Sequence, residues 1–256
     1  CGIAIGAIMT RKSSNPQTPR TSRRSLKLPG DGTIRREDIT PAFIDRLEGQ
    51  VASLPNYSLI SHEEREASRQ AFLAGRRKNQ SLWVFGYGSL MWNPAIHVVQ
   101  TARSTLFGYH RAFCLHLVIG RGSPKKPGLM LGLDAGGSCV GLAHRIAPEH
   151  VESEILWLRE MVGTGYVPKS VQLQMGSKQV QGLTFVANRQ SKRYAGRIPF
   201  QKAVRRMASA EGDIGTNRDY LYRTIAHLNE FGLAEGPLHE LERAVREITR
   251  GQGSCL

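Results

Sequence analysis

At 256 residues the chain has room for one large domain or two small ones, and its 40% hydrophobic content suits a buried core. Its formal charge of +14 is carried unevenly: residues 1–36 hold eight basic side chains against one acid, Asp31. No segment is apolar for long enough to span a bilayer, and the opening run from Cys1 to Ile8 lacks the basic lead of a secretory signal. The four cysteines (Cys1, Cys114, Cys139, Cys255) are scattered, with no CxxC or zinc-type spacing. This argues against a metal site or a disulfide framework and for a reducing cytoplasm.

Residues 1–39 are rich in Ser, Thr and Pro and poor in large apolar side chains. Such a composition cannot bury enough surface to offset its conformational entropy, so a disordered basic tail is expected. It is either a solvated tail or a weak tether to nucleic acid or an anionic surface. Order begins near Thr40, where Thr40-Pro41 is a helix cap followed by proline at the first helical position. Phe43, Ile44, Leu47 and Val51 follow with helical spacing. Ser61 and Glu64 form a capping-box pattern that opens a second helix running to about Gly75. The leader 40–80 reads as a helical appendage rather than a catalytic unit.

From Trp83 the pattern turns to strands, at 83–86, 106–109, 112–119, 128–133 and 139–146, punctuated by glycine and proline. One helix interrupts: Pro148 opens it, Val151, Ile155 and Leu158 form its apolar stripe, and Gly163-Thr164-Gly165 ends it. Strands return at 170–175 and 179–188, and helices close the chain at 199–210, 216–231 and 237–249. This order predicts an α+β fold over 81–250: a small mixed β-barrel with external helices.

Two features carry chemistry. Trp83-Val84-Phe85-Gly86-Tyr87-Gly88-Ser89-Leu90 runs as a strand and breaks into a glycine-flanked turn. Such a turn is either an ordinary tight turn or a cradle whose N–H groups converge on an oxygen or a carboxylate. It lacks the third glycine and the Lys-Ser/Thr pair of nucleotide loops. Glu160 sits at the end of the central helix among Trp157, Leu158, Met161 and Val162. It is either a surface partner of Arg159 or a desolvated carboxylate, raised in pKa by burial and by the negative helix end. The second state suits a general base.

Together these segments resemble the ChaC-type γ-glutamylcyclotransferases. The opening motif Trp83 to Trp92 is joined, in the family's order, by four others. They are the loop Arg121-Gly122-Ser123-Pro124-Lys125-Lys126-Pro127-Gly128, the strand Gly137-Ser138-Cys139-Val140-Gly141-Leu142-Ala143, Arg159-Glu160 followed by Gly165-Tyr166, and Gly215-Thr216-Asn217-Arg218-Asp219-Tyr220-Leu221. The resemblance covers roughly residues 82–247. It implies a mixed barrel and an intramolecular reaction on glutathione that releases 5-oxoproline and cysteinylglycine, with no cofactor and no metal. It implies substrate binding by Val84, Phe85, Gly86, Tyr87, Gly88 and Ser89 and base catalysis by Glu160. Tyr220 is either a substrate-binding hydroxyl or an ordinary helix tyrosine. Two departures from the eukaryotic members stand out: one extra residue after Glu160, and about 80 residues ahead of the first motif.

The expected partner is therefore a small molecule: glutathione or another γ-glutamyl compound. Lys125, Lys126 or Arg121 could meet its far carboxylate, or be solvated loop charges. A regulatory role in nucleic-acid binding through the basic tail is disfavoured, because no motif with interleaved aromatics accompanies the charge.

Overall fold

The computed structural model describes residues 36–52, 54, 57–151 and 155–252. The stretch 1–35, most of the expected basic tail, lies outside them. A 3-10 turn, Arg36–Asp38, leads into α1, Pro41–Val51. Thr40 caps α1 by accepting the Phe43 amide at 3.3 Å. The capping box of α2, His62–Leu73, is complete: the Ser61 hydroxyl accepts the Glu64 amide, and the Glu64 carboxylate accepts the Ser61 amide.

Five strands close into a barrel in the order β1-β3-β2-β4-β5. They are β1 (Leu82–Gly86), β2 (Val98–Leu117), β3 (Gly128–Ile146), β4 (Tyr166–Met175) and β5 (Lys178–Ala187). Neighbours pair antiparallel except β1 with β5, whose parallel pairing (Trp83 with Gly182, Val84 with Leu183) shuts the barrel. The expected breaks at 110–111 and 134–138 are not strand ends. β2 and β3 form one long hairpin that runs through them, with a register shift between Phe107 and Tyr109. Bulges of this kind bend a ladder without ending it.

Helix α4 (Phe200–Ser209) precedes, and helices α5 (Asn217–Glu230) and α6 (Gly236–Gln252) follow, a short hairpin that pairs β6 (Glu211–Gly212) with β7 (Gly215–Thr216). Met207, Leu221, Ile225 and Val245 from these helices join Phe85, Leu131 and Leu173 of the barrel in one core cluster. Successive residues of a strand project to opposite faces, so Val84 enters a second cluster with Leu183, Phe185 and Trp157.

The span expected as one helix from Pro148 opens as a 3-10 turn, Pro148–His150, and ends as α3, Ile155–Glu160; residues 152–154 lie outside those described. Trp157 anchors α3. It is fully buried and meets the ring of Phe185 edge-on at 5.7 Å and that of Phe72 from α2 at 5.8 Å. Contacts of this kind add about 0.5–1.5 kcal/mol each beyond area burial. The helix that ends on Glu160 is thereby fixed from both sides, by the barrel and by the leader.

Candidate active site

The glycine turn is held by groups remote in sequence. β1 stops at Gly86, and a 3-10 turn, Ser89–Met91, begins two residues later. A Cβ on Gly86 would lie 3.0 Å from Leu90, and one on Gly141 would lie 2.3 Å from the Gly86 carbonyl oxygen. Glycine is needed at both, because β3 and the turn approach so closely. The buried Arg111 of β2 braces the turn: its Nε donates to the Tyr87 carbonyl at 2.5 Å and its Nη2 to the Val140 carbonyl at 2.8 Å. Its Nη1 pairs with Glu235 at the head of α6. The Tyr87 hydroxyl donates to the Phe185 carbonyl at 3.0 Å, and His144 Nε2 lies 2.9 Å from the Leu90 carbonyl oxygen. The first amides of a helical turn have no acceptor within it, so this rigid corner presents N–H groups at a fixed place.

Arg159 joins the turn to Glu160. Its Nη2 donates to Ser89 Oγ at 2.8 Å, its Nη1 to the Asn93 carbonyl, and its Nε lies 3.0 Å from Glu160 Oε1. The two side chains are only 9% and 14% exposed. Glu160 is thus both the partner of Arg159 and a desolvated carboxylate. Burial pushes its pKa above the ordinary carboxylate range, and the Arg159 charge pulls it back only in part. The hydroxyl of Tyr220 is pushed up to about 12, chiefly by burial, with the nearby Glu160 charge adding to it. Tyr166, raised by burial and by Tyr220 and Glu160, donates to the Leu131 carbonyl at 2.5 Å. Both phenols are protonated donors at neutral pH.

Tyr220 is placed by its motif. Thr216 caps α5 through the Asp219 amide at 3.2 Å. The fully buried Asn217 accepts the Leu129 amide at 2.8 Å and donates to the Leu129 carbonyl at 2.9 Å. Asn217 thus pairs with β3 as a strand residue would, and sets Tyr220 one turn further along. Phe113 meets the Tyr220 ring edge-on at 5.8 Å.

Ser89, Glu160 and Tyr220 line one cavity of about 350 Å³, within the range of small-ligand sites. Among the described residues that line it, Glu160 is the one acid, against Arg121, Arg159, Arg193 and Arg223. An electropositive cavity suits an anionic ligand. Val84 and Phe85 are buried in the core, and Gly86, Tyr87 and Gly88 are buried as well. None of these five is among the residues that line the cavity; of the predicted turn, Ser89 is the one that does. Lys125 and Lys126 are exposed, whereas Arg121 reaches the cavity with Nη1 donating to the Thr216 carbonyl at 3.3 Å. A larger hollow of about 500 Å³ lies on the outer face of β2 and β4, lined by Phe107, Tyr109 and glutamines, and no acid lines it.

Sequence reasoning missed two contributors. Arg111 was visible as a lone charge in the strand Arg111-Ala112-Phe113-Cys114-Leu115, a position that demands buried partners. The α1 stripe was seen, but Phe43 and Leu47 prove to line the cavity rather than a separate appendage.

A family model described as ChaC-like protein matches residues 82–248. A glutathione-specific gamma-glutamylcyclotransferase of Escherichia coli (strain K12) is 38% identical over 193 residues, covering 74% of this chain and 84% of that protein. Glutathione-specific gamma-glutamylcyclotransferase 1 of Homo sapiens is 32% identical over 151 residues, covering 56% of this chain and 68% of that protein. The crystal structure of a yeast gamma-glutamyl cyclotransferase specific to glutathione superimposes with a TM-score of 0.60 at 18% identity, covering 66% of this chain and all of that one. That last likeness speaks to the fold. The matched span takes in the whole barrel, the glycine turn, Glu160 and Tyr220, and the chain belongs to the ChaC-like family.

Proposed function

We propose that the protein is a cytoplasmic γ-glutamylcyclotransferase that converts glutathione to 5-oxoproline and cysteinylglycine. The observation that carries this reading is Glu160: a carboxylate with raised pKa, tied through Arg159 to the glycine turn, in a cavity whose other charged lining residues are Arg121, Arg159, Arg193 and Arg223. The names of the Escherichia coli and human relatives support the substrate.

The turn and Ser89 hold the glutamyl end, with main-chain amides facing the α-carboxylate or the developing oxyanion. Arg121 faces the far carboxylate of the leaving dipeptide. Folding the substrate back on itself brings the α-nitrogen to the γ-carbonyl. Well-oriented ring closures of this kind reach effective molarities of about 10⁵ M or more. Glu160 takes a proton from the α-ammonium, and the freed amine attacks the γ-carbon. The bond from that carbon to the cysteine nitrogen breaks as the proton is handed to the leaving nitrogen. Over the cycle the ammonium becomes a ring N–H, releasing two protons, and the leaving amide N–H becomes an ammonium, taking up two. The balance closes without water and without a cofactor.

The test is 5-oxoproline release from glutathione, γ-glutamyl-alanine and γ-glutamyl-lysine. Glutathione should be preferred by about tenfold or more in kcat/KM, because the dipeptides carry their carboxylate one residue short of the position where Arg121 would bind it. Turnover of the dipeptides with none of glutathione would move the enzyme to another γ-glutamyl amine. No release from any of the three would overturn the reaction class.

A further inference from the structure

One wall of the cavity is built by a segment that the family model does not include. The model begins at residue 82, yet Ile39, Phe43, Leu47 and Gln50 all line the cavity that holds Glu160. Phe43, Leu47 and Gln50 recur at intervals of four and three, one face of a helix, so α1 turns a single stripe towards the site, with Ile39 just ahead of its cap. The stripe is anchored. Phe43 and Leu47 are buried against Ile119, Leu158 and Val162, on the segments just after β2 and either side of Glu160. Gln50 Nε2 donates at 2.9 Å to Asp213 in the β6–β7 hairpin, whose Ile214 also lines the cavity. The chain after α1 is tied in too, since the Ile60 amide donates to the Val162 carbonyl at 3.0 Å and Leu59 bridges to Gly163.

The cavity is lined by two kinds of side chain: polar ones at Ser89, Arg159, Glu160 and Tyr220, and apolar ones at Phe43, Leu47, Ile119 and Ile214. Resting on the glutathione reading above, the glutamyl group belongs with the polar ones. The residue attached to it then meets the apolar ones. We propose that α1 is the specificity wall of this enzyme: Phe43 and Leu47 set the size of the side chain accepted in the first residue of the leaving group. The helix limits that side chain to about the bulk of cysteine, from a segment that the family model does not include.

The test compares kcat/KM for 5-oxoproline release from glutathione and from γ-glutamyl-tryptophyl-glycine, in the full chain and in Phe43→Ala and Leu47→Ala. The expected result is that each substitution lowers the ratio of glutathione to the tryptophan analogue by about tenfold or more, the scale on which apolar pockets discriminate. The loss with glutathione should fall on KM. Leu47→Phe, which adds bulk from the same helix, should raise the ratio and covers the case in which the alanine variants do not fold. Ratios within twofold of the parent in folded variants would overturn the wall. Absence of activity on both substrates in the parent would instead overturn the reaction on which it rests.

Discussion

In the proposed reaction, one ion pair, Glu160 with Arg159, both tunes the base and places it. The guanidinium spans from Ser89 Oγ to Glu160 Oε1, so the same group that orients the glycine turn also restrains the pKa of the carboxylate. Burial still wins, and Glu160 titrates above the usual carboxylate range. The base must be ionised to act, so kcat/KM should fall as pH drops through that raised value rather than near 4.5. Arg159→Met removes the charge that lowers the pKa. Its acid limb should move to higher pH, and kcat should fall as Ser89 loses its donor; an unmoved or lowered limb in the pH profile would contradict the coupling. Glu160 was legible in the sequence because its apolar neighbours Trp157 and Met161 are adjacent along the chain. Arg111 was harder to read. Its partners at Tyr87, Val140 and Glu235 lie 24, 29 and 124 residues away.

At the scale of elements, the helix starts were the most readable, because a cap is a local bond. Thr40 and Ser61 each bond an amide three residues on. The strands of the long hairpin were read too short. Glycine-rich points such as Gly108 and Gly136-Gly137 look like turns, yet the β2–β3 ladder resumes beyond them, with Tyr109 opposite Ala135 and Phe107 opposite Ser138. What continues the ladder is pairing across the sheet, which no local window contains. The placement of α5 depends on a similar non-local bond. Asn217→Ala would leave the buried amide and carbonyl of Leu129 without partners, at about 1–3 kcal/mol for each such group. A loss of about 2–4 kcal/mol in urea unfolding is expected, together with a rise in KM as Tyr220 shifts. An alanine variant with unchanged midpoint and KM would show that Asn217 does not place Tyr220.

Across the whole molecule, the barrel matters because it gathers sequence-distant motifs at one end. The parallel closure of β1 on β5 rests on two partner pairs, Trp83 with Gly182 and Val84 with Leu183. The order of strands, one central helix, strands and terminal helices announced a barrel in general terms, but which strands meet to close it depends on chain reversal through β2 to β4. The excess charge is a separate matter. Seven of the basic residues lie in 1–35, before the first cavity residue, Ile39. Removing 1–35 should leave kcat/KM for glutathione within about twofold, because turnover below the diffusion limit gains little from steering. A large loss would mean that the basic stretch takes part in substrate binding. In the proposed reaction Glu160 is the base of an intramolecular cyclisation, and 5-oxoproline release from glutathione by the Glu160→Gln protein tests that role most directly. Glutamine keeps the shape and the hydrogen-bonding reach of the side chain but cannot take the proton. A fall of at least about a hundredfold in kcat with folding retained is expected, and turnover equal to the parent's would contradict that role.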